Sequence, residues 1–250
     1  MAWTWAAASC RGASHVKSGV RCQDASQVLL VGRKRDILLA VASDGAGSAS
    51  FGGQGASLVC RVLTQCVREH FTTSNDLPDE ATSLLWLDAI RDRIGLAAKR
   101  RGTPLREFAA TLVAVIATES SSVLLHVGDG AIVLKSNDTW TIGSWPETGE
   151  YASTTFFVTD EAGPRLRFHV PSQAIVAFSI FTDGIERLVL DYARKEAHAP
   201  FFERMIEPVG RAKGLGRDRS LSKALLNYLD SGPVNERTDD DKTLVLAVRR

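Results

Sequence analysis

The sequence has no long hydrophobic run, no secretory leader pattern and almost no net charge. No apolar run approaches about 18 residues, the length that a membrane-spanning helix needs, so we expect no membrane partner. The first residues include Trp3 and Trp5 but no basic region followed by an apolar stretch, so they do not resemble a secretory signal and we expect a cytoplasmic protein. The formal charge of +1 gives no electrostatic reason to expect a nucleic acid as partner.

The few cysteines do not form a metal or redox motif. No two of them have the Cys-x-x-Cys spacing of zinc knuckles and dithiol redox sites, and we expect reduced thiols at Cys10, Cys22, Cys60 and Cys66. The sequence also lacks internal repeats, low-complexity tracts and linkers. A chain of 250 residues with 44 % hydrophobic residues can bury a sizeable core, so we expect a single domain over residues 1–250.

Apolar periodicity predicts strands, then two helices, more strands, two further helices and a last strand. Continuous or alternating apolar runs indicate strands, and apolar residues at helical spacing indicate helices that cover a sheet. The predicted strands span residues 3–9, 27–31, 37–43, 107–118, 122–127, 131–135, 166–170, 174–182 and 243–248. The predicted helices span residues 53–70, 82–101, 201–209 and 221–229.

The connections between these elements predict an α+β arrangement, because helices and strands do not alternate as in βαβ units. A polar turn is predicted over residues 11–21, and a hairpin joins 27–31 to 37–43. The Asp129-Gly130 pair predicts a second tight hairpin, between 122–127 and 131–135. Residues 136–165 are predicted as short strands and a surface loop, with 145–151 as a candidate substrate flap.

Acidic residues recur at the ends of the predicted strands. Asp44 follows the charge-free run 37–43, Asp183 follows 174–182, and Asp129 comes two residues after Val127. The triplet Asp239-Asp240-Asp241 comes directly before the last strand. One Asp-Gly turn alone would indicate a helix cap. Four such carboxylates at the ends of core strands instead predict a site for Mg²⁺ or Mn²⁺, which prefer oxygen ligands.

Four elements, in this order, resemble the metal-dependent protein phosphatases of the protein phosphatase 2C type. They are Gln23-Asp24-Ala25, then Val41-Ala42-Ser43-Asp44-Gly45 with Gly47, then Ala110-Thr111-Leu112 with Gly128-Asp129-Gly130, and last Thr182-Asp183-Gly184 with Asp240-Asp241-Lys242-Thr243. The resemblance covers essentially the whole chain. Ser14-His15, followed by Cys22, looks most like compact bacterial members of the family.

The resemblance implies an αββα sandwich of two central antiparallel sheets with a pair of helices on each outer face. It also implies two Mn²⁺ or Mg²⁺ ions at one end of the sandwich. By position in the family motifs, Asp44 would bridge both ions, the Gly45 carbonyl would bind one, Asp183 and Asp240 would complete the other, and Asp24 would hold metal-bound water or bind directly. Asp129 matches an aspartate that helps to bind a third, weaker ion in some members.

The implied reaction is hydrolysis of phosphoserine or phosphothreonine in a protein, with no covalent phosphoenzyme. Asp44, Asp183 and Asp240 would carry it, because paired divalent ions activate water and stabilise the charge of in-line attack on phosphorus. The implied partners are a phosphorylated protein and a serine/threonine kinase encoded elsewhere. We expect a monomer.

Three positions depart from the family pattern. Gln23 stands where many members have a glutamate ligand, and Ala46 stands where some eukaryotic members have a histidine that protonates the leaving group. Gly19 occupies the position of the arginine that often grips the substrate phosphate. Arg21 or Lys17 are the candidates to replace that arginine, and the alternative for both is a solvated turn charge.

Two other functions compete with this interpretation, and the spacing of the glycines argues against one of them. A non-catalytic scaffold could keep the fold and bind phosphoproteins, which Gln23 favours and the retained Asp44, Asp183 and Asp240 oppose. Dinucleotide binding at Gly45-Ala46-Gly47 fails on spacing, because Ser50 takes the place of the third glycine.

Four further residues have structural interpretations. We expect His126 to pack against the sheet and His15 to be structural. Asp241 is expected to support its loop through hydrogen bonds, and the Thr111 hydroxyl to reach a backbone group behind the metal loop.

Overall fold

The computed structural model describes residues 2–147, 155–161 and 165–250. Strands and helices are numbered in chain order. The strands are β1 (Trp3–Cys10), β2 (Ala25–Val31), β3 (Ile37–Ser43), β4 (Leu112–Ala117), β5 (Ser122–Val127), β6 (Ala131–Ser136), β7 (Thr139–Ser144), β8 (Arg167–His169), β9 (Ala177–Phe181), β10 (Leu190–Asp191), β11 (Glu196–Ala197), β12 (Gly216–Arg217) and β13 (Lys242–Arg249). The helices are α1 (Ala13–Ser18), α2 (Gly52–Thr73), α3 (Glu80–Arg101), α4 (Glu186–Val189), α5 (Ala199–Gly210), α6 (Arg219–Leu229) and α7 (Gly232–Asn235), with short 3₁₀ turns at Leu105–Phe108 and Asp183–Ile185.

Two main sheets carry the architecture. Sheet A has the order β12-β1-β13-β9-β6-β7, and sheet B has the order β2-β3-β4-β5-β8. All pairings within the two sheets are antiparallel except that of β12 with β1. The strands β10 and β11 form a separate two-stranded hairpin.

Three apolar layers hold the sheets and helices together as an αββα sandwich. On β3, Leu38 faces sheet A while Leu39 faces the α2 and α3 pair. On β13, Val245 faces sheet B while Leu244 faces α5 and α6. Consecutive strand residues point to opposite faces, so a central strand covered on both sides needs an unbroken apolar run. This explains why residues 37–43 carry no charge and confirms the predicted fold class.

The four long helices occur where the periodicity predicts them, with longer bounds. Helix α3 begins at an N-cap aspartate, Asp79, whose side chain accepts a hydrogen bond from the backbone N–H of Thr82. It ends at Gly102, which has φ +63° and so adopts the left-handed conformation that glycine tolerates. Within the described residues, no helix is both long enough and apolar enough to cross a membrane.

The predicted hairpin at Asp129-Gly130 is wrong. β5 pairs with β4 and β8 in sheet B, whereas β6 pairs with β9 and β7 in sheet A. The turn therefore carries the chain from one sheet to the other. Gly128 makes this possible, because its φ of +108° is a conformation that side-chain-bearing residues rarely adopt.

Two local predictions also need correction. The segment 11–21 is not only a turn, since it contains the short helix α1. Residues 107–118 are not all extended, because the 3₁₀ turn Leu105–Phe108 precedes β4. The hairpin of β2 with β3 is confirmed, with Val31 opposite Ile37.

Candidate metal centre

Asp24 and Asp44 lie side by side because β2 and β3 are antiparallel neighbours. Ala25, the first residue of β2, pairs with Ser43, the last residue of β3. The residue before one strand and the residue after the other therefore leave sheet B at the same edge. The two carboxyl groups are close enough for the charge of Asp24 to raise the pKa of Asp44.

Sheet A brings Asp183 and the acidic triplet together by the same rule. β9 ends beside the start of its antiparallel neighbour β13, with Phe181 opposite Leu244. The backbone N–H of Thr182 donates to the carbonyl of Thr243 at 3.3 Å, which extends the pairing by one residue. Asp183 and Asp240 therefore emerge at one edge of sheet A.

Asp129 reaches the same place from sheet B. β5 and β3 are both antiparallel to β4, so their C-terminal ends lie at the same edge. One carboxylate oxygen each from Asp44, Asp129 and Asp183 lies within 4.8 Å of the others. Three residues that are far apart in sequence thus converge where the two sheets meet.

Asp24 is oriented by two threonines. Its Oδ2 accepts hydrogen bonds from the hydroxyl groups of Thr182 at 2.8 Å and Thr243 at 2.7 Å. The motifs contain both threonines, but the sequence alone assigns them no role. Thr182 directly precedes Asp183, and Thr243 lies two residues after Asp241. The two contacts therefore join the Asp24 loop of sheet B to sheet A.

Several buried oxygens at this site have no protein partner within the described residues. They are Asp24 Oδ1, Asp129 Oδ1, Asp183 Oδ1 and Gln23 Oε1. A buried polar atom without a partner is costly, and converging carboxylate and amide oxygens are the ligands that hard divalent cations take. The donor set therefore fits Mg²⁺ or Mn²⁺.

Burial and mutual repulsion raise the pKa of these carboxyl groups. Burial raises the pKa of Asp24 to about 6, against the hydrogen bonds from Thr243 and Thr182, which lower it. Burial, followed by the charges of neighbouring aspartates, holds the pKa of Asp44 and of Asp183 well above the usual range. Burial also raises the pKa of Asp129. Ionised carboxylates here need positive charge, as the sequence predicts.

The loop after β3 is fixed by Thr111. Its hydroxyl accepts from the backbone N–H of Asp44 at 2.9 Å, and its own N–H donates to the Asp44 carbonyl at 2.8 Å. Ser43 Oγ donates to the Thr111 carbonyl at 2.5 Å. The expectation that the Thr111 hydroxyl reaches a backbone group is confirmed.

Gly45 is required by close packing. A Cβ at Gly45 would lie 2.1 Å from the carbonyl carbon of Gly52 in α2, closer than side chains ever approach. The Gly45 N–H donates to the Gln23 carbonyl at 3.2 Å. The candidate ligand carbonyl of Gly45 thus belongs to backbone that is held by the segment before β2 and by α2.

Asp240 lies at the exposed rim of the site. Its carboxylate is outside the group formed by Asp44, Asp129 and Asp183, and its Oδ1 accepts from the backbone N–H of Asp241 at 2.8 Å. Its charge nevertheless raises the pKa of Asp183. Asp240 is therefore a neighbour of the cluster.

Asp241 ties the N-terminal segment to this rim. The side chain is 1 % exposed and accepts from the backbone N–H groups of Gly12, at 2.6 Å, and Gln23. His15 Nδ1 lies 2.9 Å from Oδ2 of Asp241. These hydrogen bonds hold the segment 12–23 against the loop that contains Asp241. The structural role expected for His15 stays a prediction.

The structure places Lys17 in α1 and Arg21 just after it, both exposed. They lie on the segment whose two ends Asp241 holds, and α1 abuts the acidic loop because Ser14 N–H donates to the Asp239 carbonyl at 2.9 Å. Neither side chain takes part in an ion pair or hydrogen bond with another described residue.

His126 is a buried structural residue, as expected. Its side chain is 0 % exposed, and its Nδ1 lies 2.7 Å from Ser144 Oγ. This contact joins β5 of sheet B to β7 of sheet A. Burial and the nearby Arg167 hold its pKa well below the usual range, so it stays neutral. In the candidate flap, residues 148–151 lie outside the described residues; Trp145 contacts Tyr192, with ring centroids 5.1 Å apart.

Glu186 and Tyr192 are site neighbours that the sequence reasoning missed. Burial raises the pKa of Glu186, a hydrogen bond from Tyr192 lowers it, and the charge of Asp129 raises it. The sequence holds one indication of this, because Glu186 comes three residues after Asp183 and a single helical turn would place both side chains on one face.

A model of the family described as Protein phosphatase 2C matches residues 11–229. The chain belongs to the protein phosphatase 2C family. It is 34 % identical over 255 residues to serine/threonine-protein phosphatase 3 of Escherichia coli (strain K12), a match that covers 99 % of both chains. This second match includes the acidic triplet before β13, which lies beyond the first.

Solved structures show the same fold. The serine/threonine phosphatase Stp1 from Staphylococcus aureus matches with a TM-score of 0.68 and 14 % identity, over 98 % of this chain and 94 % of that one. The catalytic domain of the serine threonine protein phosphatase PstP, in complex with two manganese ions, matches with a TM-score of 0.61 and 15 % identity, over 99 % and 98 %. As a protein phosphatase 2C, this chain is a serine/threonine protein phosphatase, a hydrolase of a metal-dependent family.

Proposed function

We propose that this phosphatase holds two Mn²⁺ or Mg²⁺ ions between its two sheets, with Asp44, Asp183 and Asp240 as the catalytic carboxylates. Asp44 would bridge the ions, the Gly45 carbonyl and Asp24 would serve one, and Asp183 and Asp240 the other. Asp129, which lies against Asp44 and Asp183, would hold a third ion. The observation that supports this most is the convergence of Asp44, Asp129 and Asp183 oxygens within 4.8 Å, together with buried oxygens that no described residue satisfies.

When bound, such paired cations lower the pKa of water and offset the negative charge that develops on a phosphoryl group. The protein's own residues set the geometry. Thr182 and Thr243 occupy Oδ2 of Asp24 and leave its Oδ1 free to act as a ligand. Thr111 clamps the backbone on both sides of the Asp44 side chain. These contacts fix the carboxylates before substrate arrives, which reduces the cost of reorganisation during the reaction.

The proposed substrates are phosphoserine and phosphothreonine residues of a protein, phosphorylated by a kinase encoded elsewhere. We further propose that the enzyme acts as a cytoplasmic monomer with one catalytic domain over residues 1–250. Arg21 or Lys17 would bind the substrate phosphate. Support comes from their position on the segment 12–23, which Asp241 anchors beside the acidic cluster.

The test is turnover of p-nitrophenyl phosphate and of phosphoserine and phosphothreonine peptides with Mn²⁺, with Mg²⁺ and with EDTA. Asp44→Ala and Asp183→Asn should each lower kcat/KM at least about 100-fold, since each removes a charged ligand. Asp239→Asn is the matched control, because Asp239 is exposed and its carboxylate forms no hydrogen bond or ion pair with the described residues. Turnover that survives chelation, or both substitutions, would defeat the proposal.

A second test addresses the phosphate contact. Arg21→Ala and Lys17→Ala should raise KM for phosphopeptides, by about tenfold for the residue that binds phosphate, with little change in kcat. Arg11→Ala is a control on the same exposed segment. An unchanged KM in the double variant would show that both are solvated charges. The family match and the 34 % identity to a serine/threonine-protein phosphatase favour the enzyme over the non-catalytic scaffold.

A further inference from the structure

A long cleft runs along the outer surface between α2 and α3, on the layer that covers sheet B. Its volume is about 720 Å³. Its floor is apolar, formed by the buried Leu58 with Val62 and Ala97, and Leu96 on its wall is 52 % exposed. Such a groove can bind a segment of another chain, because it offers both apolar contact and room.

The charged residues that line the cleft all have the same sign. They are Arg61 of α2 and Arg93 and Arg100 of α3, and the remaining polar lining is Gln54, Ser57 and Gln65. None of the three arginines forms an ion pair or a side-chain hydrogen bond with any residue that the structure describes. On a chain with a formal charge of only +1, this is a local concentration of uncompensated positive charge.

One end of the cleft lies close to the metal centre. Gln54 follows Gly53, and a Cβ on Gly53 would lie 3.0 Å from the Cα of Gln23, the neighbour of Asp24. Arg101 secures this end, since it donates to Gln54 Oε1 at 3.0 Å and lies over the ring of Phe51. From Gln54 to Gln65 the helix rises about 16 Å, which is the length of about five residues of extended peptide.

We propose that this cleft docks an acidic segment of the phosphoprotein substrate. The inference rests on the proposed function, because it assigns to the same enzyme a second contact with the same substrate. Arginine guanidinium groups bind carboxylates with two parallel hydrogen bonds, so three of them along a groove select runs of aspartate and glutamate. The apolar floor would accept the stems of these side chains or an aliphatic residue between them.

The experiment compares two phosphothreonine peptides that differ only in a distal run of five residues. One peptide carries Asp and Glu there and the other carries Asn and Gln, with the run placed about ten residues before or after the phosphothreonine. For the unmodified enzyme at low salt, we expect the acidic peptide to have a KM about tenfold lower, and this advantage to shrink as salt rises. Equal KM values for the two peptides in both placements would overturn the proposal.

The triple variant Arg61→Gln, Arg93→Gln and Arg100→Gln should remove the advantage of the acidic peptide. Its turnover of p-nitrophenyl phosphate should stay within about twofold of the parent, because none of the three residues belongs to the metal centre. The triple variant Arg68→Gln, Lys99→Gln and Lys223→Gln is the charge-matched control, since these residues are exposed and do not line the cleft. An equal loss of discrimination in the control would show that net charge, and not the cleft, selects the peptide.

Binding of the unphosphorylated acidic peptide, followed by fluorescence anisotropy in EDTA, tests the cleft without catalysis. Binding that the Arg→Gln triple variant abolishes supports the cleft even if the enzyme turns over no phosphopeptide. An absence of turnover with every phosphosubstrate would instead count against the proposed function. Tighter binding of a single-stranded oligonucleotide or an anionic vesicle at the same arginines would overturn the assignment to an acidic peptide.

Discussion

The surroundings of Asp183 disfavour the ionised form of its carboxyl group. Burial, and then the charges of Asp129, Asp240 and Asp24, hold the pKa of Asp183 well above the usual range. Asp183→Asn removes this repulsion along with a proposed ligand. In EDTA at neutral pH we therefore expect the variant to melt several degrees above the parent, since about 1 kcal/mol shifts Tm by about 2–4 °C in a chain of this size.

With Mn²⁺ added, the order should reverse. The parent gains stability because the ions bind only its folded state, and the variant gains less. Thermal melts of both proteins across a Mn²⁺ titration measure this. A variant that is less stable than the parent in EDTA, yet gains as much from Mn²⁺, would contradict the role of Asp183.

Asp241 acts through the segment that it anchors. Asp241→Ala leaves the N–H groups of Gly12 and Gln23 without their acceptor and removes the charge beside His15. Lost hydrogen bonds to a charged group cost about 1.5–3 kcal/mol each, so we expect a loss of about 3 kcal/mol in the free energy of unfolding by urea. We also expect a higher KM for Mn²⁺, because Gln23 adjoins Asp24. Asp239→Ala is the neighbouring control, and equal effects of the two substitutions would refute the anchor.

The connection between β3 and α2 contains two glycines, Gly45 and Gly47, and only Gly45 is tightly packed. Gly45 has backbone of α2 where its Cβ would be, whereas Gly47 has no atom within 4 Å of that position. Gly45→Ala should cost about 1–3 kcal/mol of stability through overpacking and should weaken Mn²⁺ binding. Gly47→Ala should change both by little. Calorimetric melts and Mn²⁺ titrations of the pair decide the matter, and similar behaviour of the two variants would contradict the packing argument.

Elements with a strong period were predictable from the sequence, and connections between sheets were not. The helices α2, α3, α5 and α6 bury an apolar stripe that the sequence displays directly. The turn at Asp129 looks like a hairpin turn because both flanking strands are apolar and short. The strands lie in different sheets, and nothing local in the sequence records which sheet a strand joins. The pairing partners, far along the chain, decide it.

The same limit applies to the site. Its aspartates were predictable because a carboxylate next to a core strand is conspicuous. The hydroxyl groups of Thr182 and Thr243 were not, since their contact with Asp24 exists only after the two sheets pack. Asp240 was predicted as an equal member of the cluster, and the structure places it at the exposed rim.

At the scale of the whole molecule, the acidic cluster makes stability depend on pH. Burial raises the pKa of Asp24 from its usual range to about 6, and raises those of Asp44, Asp129 and Asp183. A raised pKa in the folded state means that these groups stabilise the fold while protonated, at pH below the ordinary value of an aspartate. That stabilisation is lost as pH rises through the folded-state pKa.

In EDTA, the Tm of the parent should therefore fall, relative to that of Asp24→Asn, as pH rises from about 5 to about 7. Saturating Mn²⁺ should reduce this difference at the upper pH, since the cations neutralise the ionised carboxylates. Melting curves of both proteins at several pH values, with and without Mn²⁺, provide the measurement. A Tm difference that does not change with pH would mean that Asp24 titrates normally.

The account depends on carboxylates from both sheets sharing cations at one edge of the sandwich. Anomalous diffraction from a crystal soaked in Mn²⁺ measures this directly. We predict at least two peaks, with Asp44 in contact with both of the strongest and Asp183 in contact with one of them. No peak among Asp24, Asp44 and Asp183, or ions bound only at exposed carboxylates elsewhere, would contradict the account.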